Sequence, residues 1–242
     1  MKILIRNAGI ITCDAENMFI HNGNIEIENG YIRYIGTGAG AGNEFVPDKV
    51  IDGKHRLVMP GLINSHTHSP MTLLRNYADD LVLEDWLFNR IIPAEGRLSP
   101  EDVYWGAMLG IAEMIKAGTT CFADMYLHVE EVARAVMESG IRASISKGPL
   151  VSGYRGQPGI SVDEEGCLEY FNNWNNKANG RLKTCVEIHS VYLYDEKALR
   201  GAAELAKQLD TRIHIHILET RAEVESSMSK YGMSSVEACL KF

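Results

Sequence analysis

No two of the five cysteines form a Cys-x-x-Cys pair; they stand apart at positions 13, 121, 167, 185 and 239, and their number is odd. That excludes a disulfide framework and suits a reducing compartment, so a cytoplasmic protein is expected. Long apolar runs are missing as well. The N-terminus, MKILIRNAGIIT, is broken by Arg6 and Asn7 before it could serve as a signal peptide or a membrane span. Positive charge is in deficit: 24 basic against 32 acidic residues leave a net charge of -8. Such a chain gains nothing from phosphate attraction, so neither nucleic acid nor an anionic membrane surface is an expected partner. Repeats and low-complexity tracts are absent, and no glycine-rich phosphate loop follows the first strand of the α/β part. What is present is ordinary globular material, 45% hydrophobic and 23% charged over 242 residues, enough for one or two domains.

The pattern changes character near residue 57. Before it, short runs alternate apolar and polar residues, and Ile25, Ile27, Ile32 and Ile35 flank Asn29-Gly30, a strong hairpin signal. Residues 1–57 therefore read as a small all-β unit. From 58 to 242, strands and helices alternate. Ser99-Pro100-Glu101-Asp102 offers an N-cap, a proline at the first helical position and an acidic first turn; the helix it opens runs to Lys116, before Gly118. Strands are expected at 119–125, 141–145, 182–188 and 212–218, with helices at 128–139, 164–174 and 195–209. Thr220-x-x-Glu223 reads as a capping box for one more helix. This alternation implies parallel βαβ units, five strands in all after residue 57. Two architectures fit: an open doubly wound sheet, or a (β/α)8 barrel cut after about five units, since a closed barrel needs eight. The missing phosphate loop favours the barrel.

The chemistry gathers at strand ends. His66-Thr67-His68 closes the first barrel-type strand, and side chains two apart on a strand share a face. Both imidazoles can point at one ion, at the end of the strand where barrels build their active sites. A lone His-x-His is also common on surfaces. In Ile213-His214-Ile215-His216-Ile217-Leu218-Glu219 the alternation recurs, with isoleucines on the other face. Buried imidazoles need partners, either a metal or hydrogen bonds to neighbouring strands; two such strands in one chain favour the metal. Glu219, just past the strand, could move protons beside a metal-activated water. His189 ends the fourth strand and projects at the same face. The zinc deaminase signature His-x-Glu with Pro-Cys-x-x-Cys is absent.

Pro60-Gly61-Leu62-Ile63-Asn64-Ser65-His66-Thr67-His68 resembles the first-strand motif of the amidohydrolase superfamily. Pro70-Met71-Thr72-Leu73-Leu74-Arg75, Asp79-Asp80-Leu81, Gly118-Thr119-Thr120, Asp124-Met125-Tyr126 and His216-Ile217-Leu218-Glu219 resemble its branch containing methylthioadenosine and S-adenosylhomocysteine deaminases. The likeness covers nearly the whole chain. It implies a metal-dependent hydrolase barrel, truncated after about five βα units, behind part of a small β-sandwich. It implies one divalent ion, usually zinc, held by His66, His68 and His216, with Glu219 giving a proton to the ring nitrogen while activated water displaces ammonia. For the substrate it implies an amino-substituted purine nucleoside or related heterocycle, with Trp86 lining the base pocket, Glu95 binding ribose hydroxyls and His189 contacting the base. The family also supplies a histidine from the sixth strand and an aspartate from the eighth, beyond residue 242.

Three departures bear on the substrate. Glu187-Ile188-His189 stands where the family usually has Gly-Pro-His. Lys147 and a position near Asp163 stand where relatives acting on S-adenosylhomocysteine carry arginines, with Arg155 a candidate to compensate. No lysine sits centrally in the fourth strand, which argues against two metals. An alternative enzyme reading on the same scaffold is a triazine-type chloro-heterocycle hydrolase. A reading from another class is a catalytically incomplete metal-binding fragment. An open barrel exposes strand edges, so the chain is expected to pair with its C-terminal half or with a copy of itself.

Overall fold

The structure is a computed structural model that describes residues 1–242 except 17, 39, 41, 149–162 and 242. It divides into two compact units, Met1–Gly61 and Leu62–Phe242. In the first, β1 (Lys2–Ile11) lies antiparallel to β2 (Phe19–Glu28), which pairs with β3 (Tyr31–Gly36). On its other side β1 runs parallel to β4 (Lys49–Asp52) and to β5 (Leu57–Val58). Asn29 and Gly30 both take positive φ, 52° and 84°, the backbone a two-residue hairpin requires. Ala8, Ile10 and Ile25 form the core on one face. Leu57 and Val58 thus extend this sheet.

In the second unit five parallel strands follow one another without a break in order: β6 (Leu62–Thr67), β7 (Thr119–Met125), β8 (Arg142–Lys147), β9 (Leu182–Ser190) and β10 (Ile213–His216). A doubly wound sheet reverses direction at a switch point; this order never reverses, as in a barrel wall. The β6–β7 connection carries the π-helical segment Asp85–Ile91, α1 (Ile92–Glu95) and α2 (Pro100–Lys116). α3 (Val129–Ser139), α4 (Glu164–Trp174) and the single turn α5 (Lys177–Gly180) lead to the next strands. α6 (Glu196–Gln208) precedes β10, and α7 (Arg221–Tyr231) and α8 (Ser235–Lys241) follow it. No helix among the described residues is long and apolar enough to cross a membrane.

Strand alternation sorts the side chains. Phe122, Ile145 and Leu182 meet Val103, Ala107 and Ile111 of α2 and Val132 and Val136 of α3. Val186 and Ile188 meet Leu199, Ala202 and Leu205 of α6. On β8 and β9 the opposite face carries polar residues, Ser144, Ser146, Glu187 and His189 among them. α2 starts as its sequence requires: Ser99 Oγ accepts from Asp102 N at 3.2 Å, and Asp102 Oδ2 accepts from Ser99 N at 2.8 Å. It packs on the 3-10 segment Ser69–Leu74, which directly follows His68. Gly106 makes that approach possible, because a Cβ there would lie 2.6 Å from the Pro70 carbonyl oxygen. Gly106→Ala should therefore destabilise the protein by about 1–3 kcal/mol, despite alanine's better helix propensity, read as a lowered urea midpoint.

Candidate metal centre and active-site cavity

β6 and β10 stand at opposite ends of the strand order, yet the curl of the sheet brings their histidines together. His68 Nδ1 donates to the Met125 carbonyl at 2.6 Å, and His216 Nδ1 donates to the His189 carbonyl at 2.7 Å. With hydrogens on Nδ1, the neutral rings carry lone pairs on Nε2. Those two Nε2 atoms lie 3.1 Å apart. A third ring is directed by a longer chain. Ser146 Oγ donates to the Asp124 carbonyl at 3.0 Å, so it accepts from His214 Nδ1 at 3.3 Å. His214 Nε2 then accepts from His66 Nδ1 at 2.9 Å, which leaves a lone pair on His66 Nε2, 3.0 Å from His216 Nε2.

Three acceptors facing one point repel unless something positive sits among them. A proton is disfavoured: burial pushes the His68 pKa down to about 3, and burial, with His216 and His189 nearby, also lowers that of His66. A metal cation satisfies the arrangement, and the donor atoms of His66, His68 and His216 lie within 4.8 Å of one another. Three imidazoles suit zinc with a position left open. His214, the other member of the fifth-strand pair, is a support for His66.

Asp124, fully buried at the end of β7, fixes the turn after His68. It accepts from Ser69 N at 3.0 Å and from the Ser69 hydroxyl. Burial raises its pKa to about 6 against those hydrogen bonds.

A cavity of about 280 Å³ opens beside the histidines, lined by His66, His68, His216, Trp86, Glu95, His189 and Glu219. Trp86 arrives on the π-helical segment and Glu95 on α1. Burial raises the Glu95 pKa, opposed by the Tyr126 hydroxyl and by His189. Glu219 follows Leu218, which takes a left-handed φ of 59°. The capping box expected at Thr220 is only half formed. Thr220 Oγ1 accepts from Glu223 N at 3.1 Å, while the Glu223 carboxylate accepts from the backbone N–H groups of Leu218 and Glu219 at 3.0 and 2.8 Å. The Tyr192 hydroxyl donates to Glu219 Oε2 at 3.4 Å. The loop that carries Glu219 is thereby pinned from two sides.

The family model of the amidohydrolases matches residues 57–242. This chain belongs to the amidohydrolase family. Over its whole length it is 55% identical to a 5-methylthioadenosine/S-adenosylhomocysteine deaminase of Acetivibrio thermocellus, covering 55% of that protein. It is 43% identical over 234 residues to a 5'-deoxyadenosine deaminase of Methanosarcina barkeri, covering 97% of this chain and 53% of that one. The crystal structure of an adenosine deaminase from Xanthomonas campestris with bound zinc superposes with a TM-score of 0.88 at 30% identity, over 99% of this chain and 54% of that one. The amidohydrolase chain thus spans about half the length of the curated relatives it matches.

Not every expected contact forms in this amidohydrolase. Lys147 lies on the helix side of β8, on the same face as Ile145, with Nζ 2.6 Å from Glu130 Oε1 and above the Tyr170 ring. Asp163 caps α4, accepting from Gly166 N at 2.8 Å. Arg155 lies outside the described residues. Conversely, Ser146, Asp124, Tyr126, Tyr192 and Glu187 support the site without having been assigned a role from the sequence, and Glu223, expected only as a helix cap, does so as well. Asp124 and Ser146 could have been suspected from their places at the C-terminal ends of barrel strands. Alanine at His66, His68 or His216 should abolish stoichiometric zinc, whereas His214→Ala should retain it with about 10–100-fold weaker affinity, measured by equilibrium dialysis. Asp124 should mark stability with pH. Its folded pKa is raised, so its contribution is complete below the ordinary aspartate value and lost as pH rises through about 6. Melting wild type against Asp124→Asn should show wild type losing on the order of 2 kcal/mol relative to the variant between pH 4 and pH 7.

Proposed function

We propose that this site carries out hydrolytic deamination of adenosine-type nucleosides, with one zinc ion held by His66, His68 and His216. The observation that supports it most is the convergence of three imidazole lone pairs beside a pinned glutamate, in a cavity that also holds Trp86 and Glu95. Zinc, when bound at those three nitrogens, supplies Lewis-acid activation of water. Glu219 passes a proton to the ring nitrogen as the amino-bearing carbon is attacked, and ammonia leaves. Tyr192 and Glu223 hold that carboxylate and its backbone in place. Trp86 lines the base, His189 meets its edge, and Glu95 accepts from ribose hydroxyls. Loss of ammonia, rather than chloride, is favoured by the deaminases that resemble the chain at 55% and 43% identity.

Lys147 stands at a position expected to meet a homocysteine carboxylate, and its pairing with Glu130 in the helix layer favours nucleosides without that group. The working enzyme, on this reading, includes the further barrel strands carried by the longer relatives, or another copy of the chain. The five free cysteines fit a reducing, cytoplasmic setting. Zinc-loaded protein should release ammonia from adenosine and 5'-methylthioadenosine faster than chloride from 6-chloropurine riboside. Glu219→Gln should keep its zinc and lose about 10²–10⁴-fold in kcat. Wild-type turnover by that variant would overturn the assignment.

A further inference from the structure

Glu187 is a buried carboxylate inside the barrel wall, on the same face of β9 as His189 and two residues before it. Its Oε1 lies 3.1 Å from His189 Nδ1. A carboxylate can only accept, so the hydrogen of that bond belongs to Nδ1. The His189 ring lies between this anchor and the metal centre, its centroid 4.7 Å from that of His216 and 5.9 Å from that of His68. Its carbonyl meanwhile accepts from His216 Nδ1 at 2.7 Å. One residue therefore serves the centre twice, its backbone orienting a metal ligand and its side chain facing the cavity.

We propose that Glu187 is a positioning residue that fixes His189 as the Nδ1–H tautomer and turns the Nε2 edge of the ring toward the ligand, selecting ligands that offer an amino or hydroxyl hydrogen there. In the neutral ring that edge is an acceptor, which matches the donors of an aminopurine nucleoside. Without the anchor, the ring can rotate, or take the Nε2–H form and turn a donor to the same place. The selectivity half of this proposal rests on the nucleoside reading above; the tautomer half does not.

The test is long-range ¹H–¹⁵N correlation of histidine-labelled, zinc-loaded protein, with His189 assigned by its loss in His189→Gln. Wild type and Glu187→Gln, whose amide oxygen still accepts, should show the hydrogen on Nδ1, and Glu187→Ala should lose that preference. Hydrogen on Nε2 in wild type, or an unchanged tautomer in Glu187→Ala, would overturn the proposal. If Glu187→Ala fails to fold, the wild-type spectrum alone decides. For selectivity, the KM for adenosine should rise about tenfold in Glu187→Ala with kcat within a few-fold, and return near wild type in Glu187→Gln. Equal KM values in all three proteins would refute selection through His189. Wild-type protein that neither binds nor turns over adenosine would refute the nucleoside reading, with the tautomer still deciding the role of Glu187.

Discussion

Three imidazole nitrogens lying within 4.8 Å of one another, each left with a lone pair by what the other nitrogen of its ring does, create a demand for positive charge that the rest of the structure serves. Two carbonyls and one histidine–serine chain set those tautomers, and burial lowers the proton affinity of His68 strongly and that of His66 as well. Burying such acceptors unmatched would cost several kcal/mol. The site is thus biased toward a cation by its surroundings as much as by its ligands, because the partner of each ring's other nitrogen sets which nitrogen is free.

The same logic spreads through the wall of the barrel. Each strand gives one face to the helix layer and the other to the site, so a single register serves both packing and chemistry. Val186 and Ile188 anchor β9 against α6, which in turn fixes where Glu187 and His189 point. On β8 Ile145 packs outward while Ser146 turns in behind His214; on β7 Phe122 and Asp124 share the helix-facing side, where Asp124 holds the turn after His68. The loop residues depend on local devices instead. Glu223 gives up its expected capping partner to secure the N–H groups of Leu218 and Glu219, and Gly106 lets the segment after His68 settle onto α2.

What the sequence by itself determined is everything written in short periods. The two His-x-His strands, the Asn29-Gly30 hairpin, the capping box at Ser99 and the succession of five βα units depend on neighbours a few residues apart, and local chemistry decides them. Resemblance then carried Trp86, Glu95 and Glu219 to the cavity where the structure places them. Only the tertiary structure decided the relations across strands. What His214 does beside His66, whether Glu187 meets His189, and whether Lys147 looks inward or into the helix layer all turn on strand register and barrel curl. Register is a sum of many weak contacts between residues distant in sequence, such as His66 with His216 and Asp124 with Ser69, so no short stretch of the chain contains it.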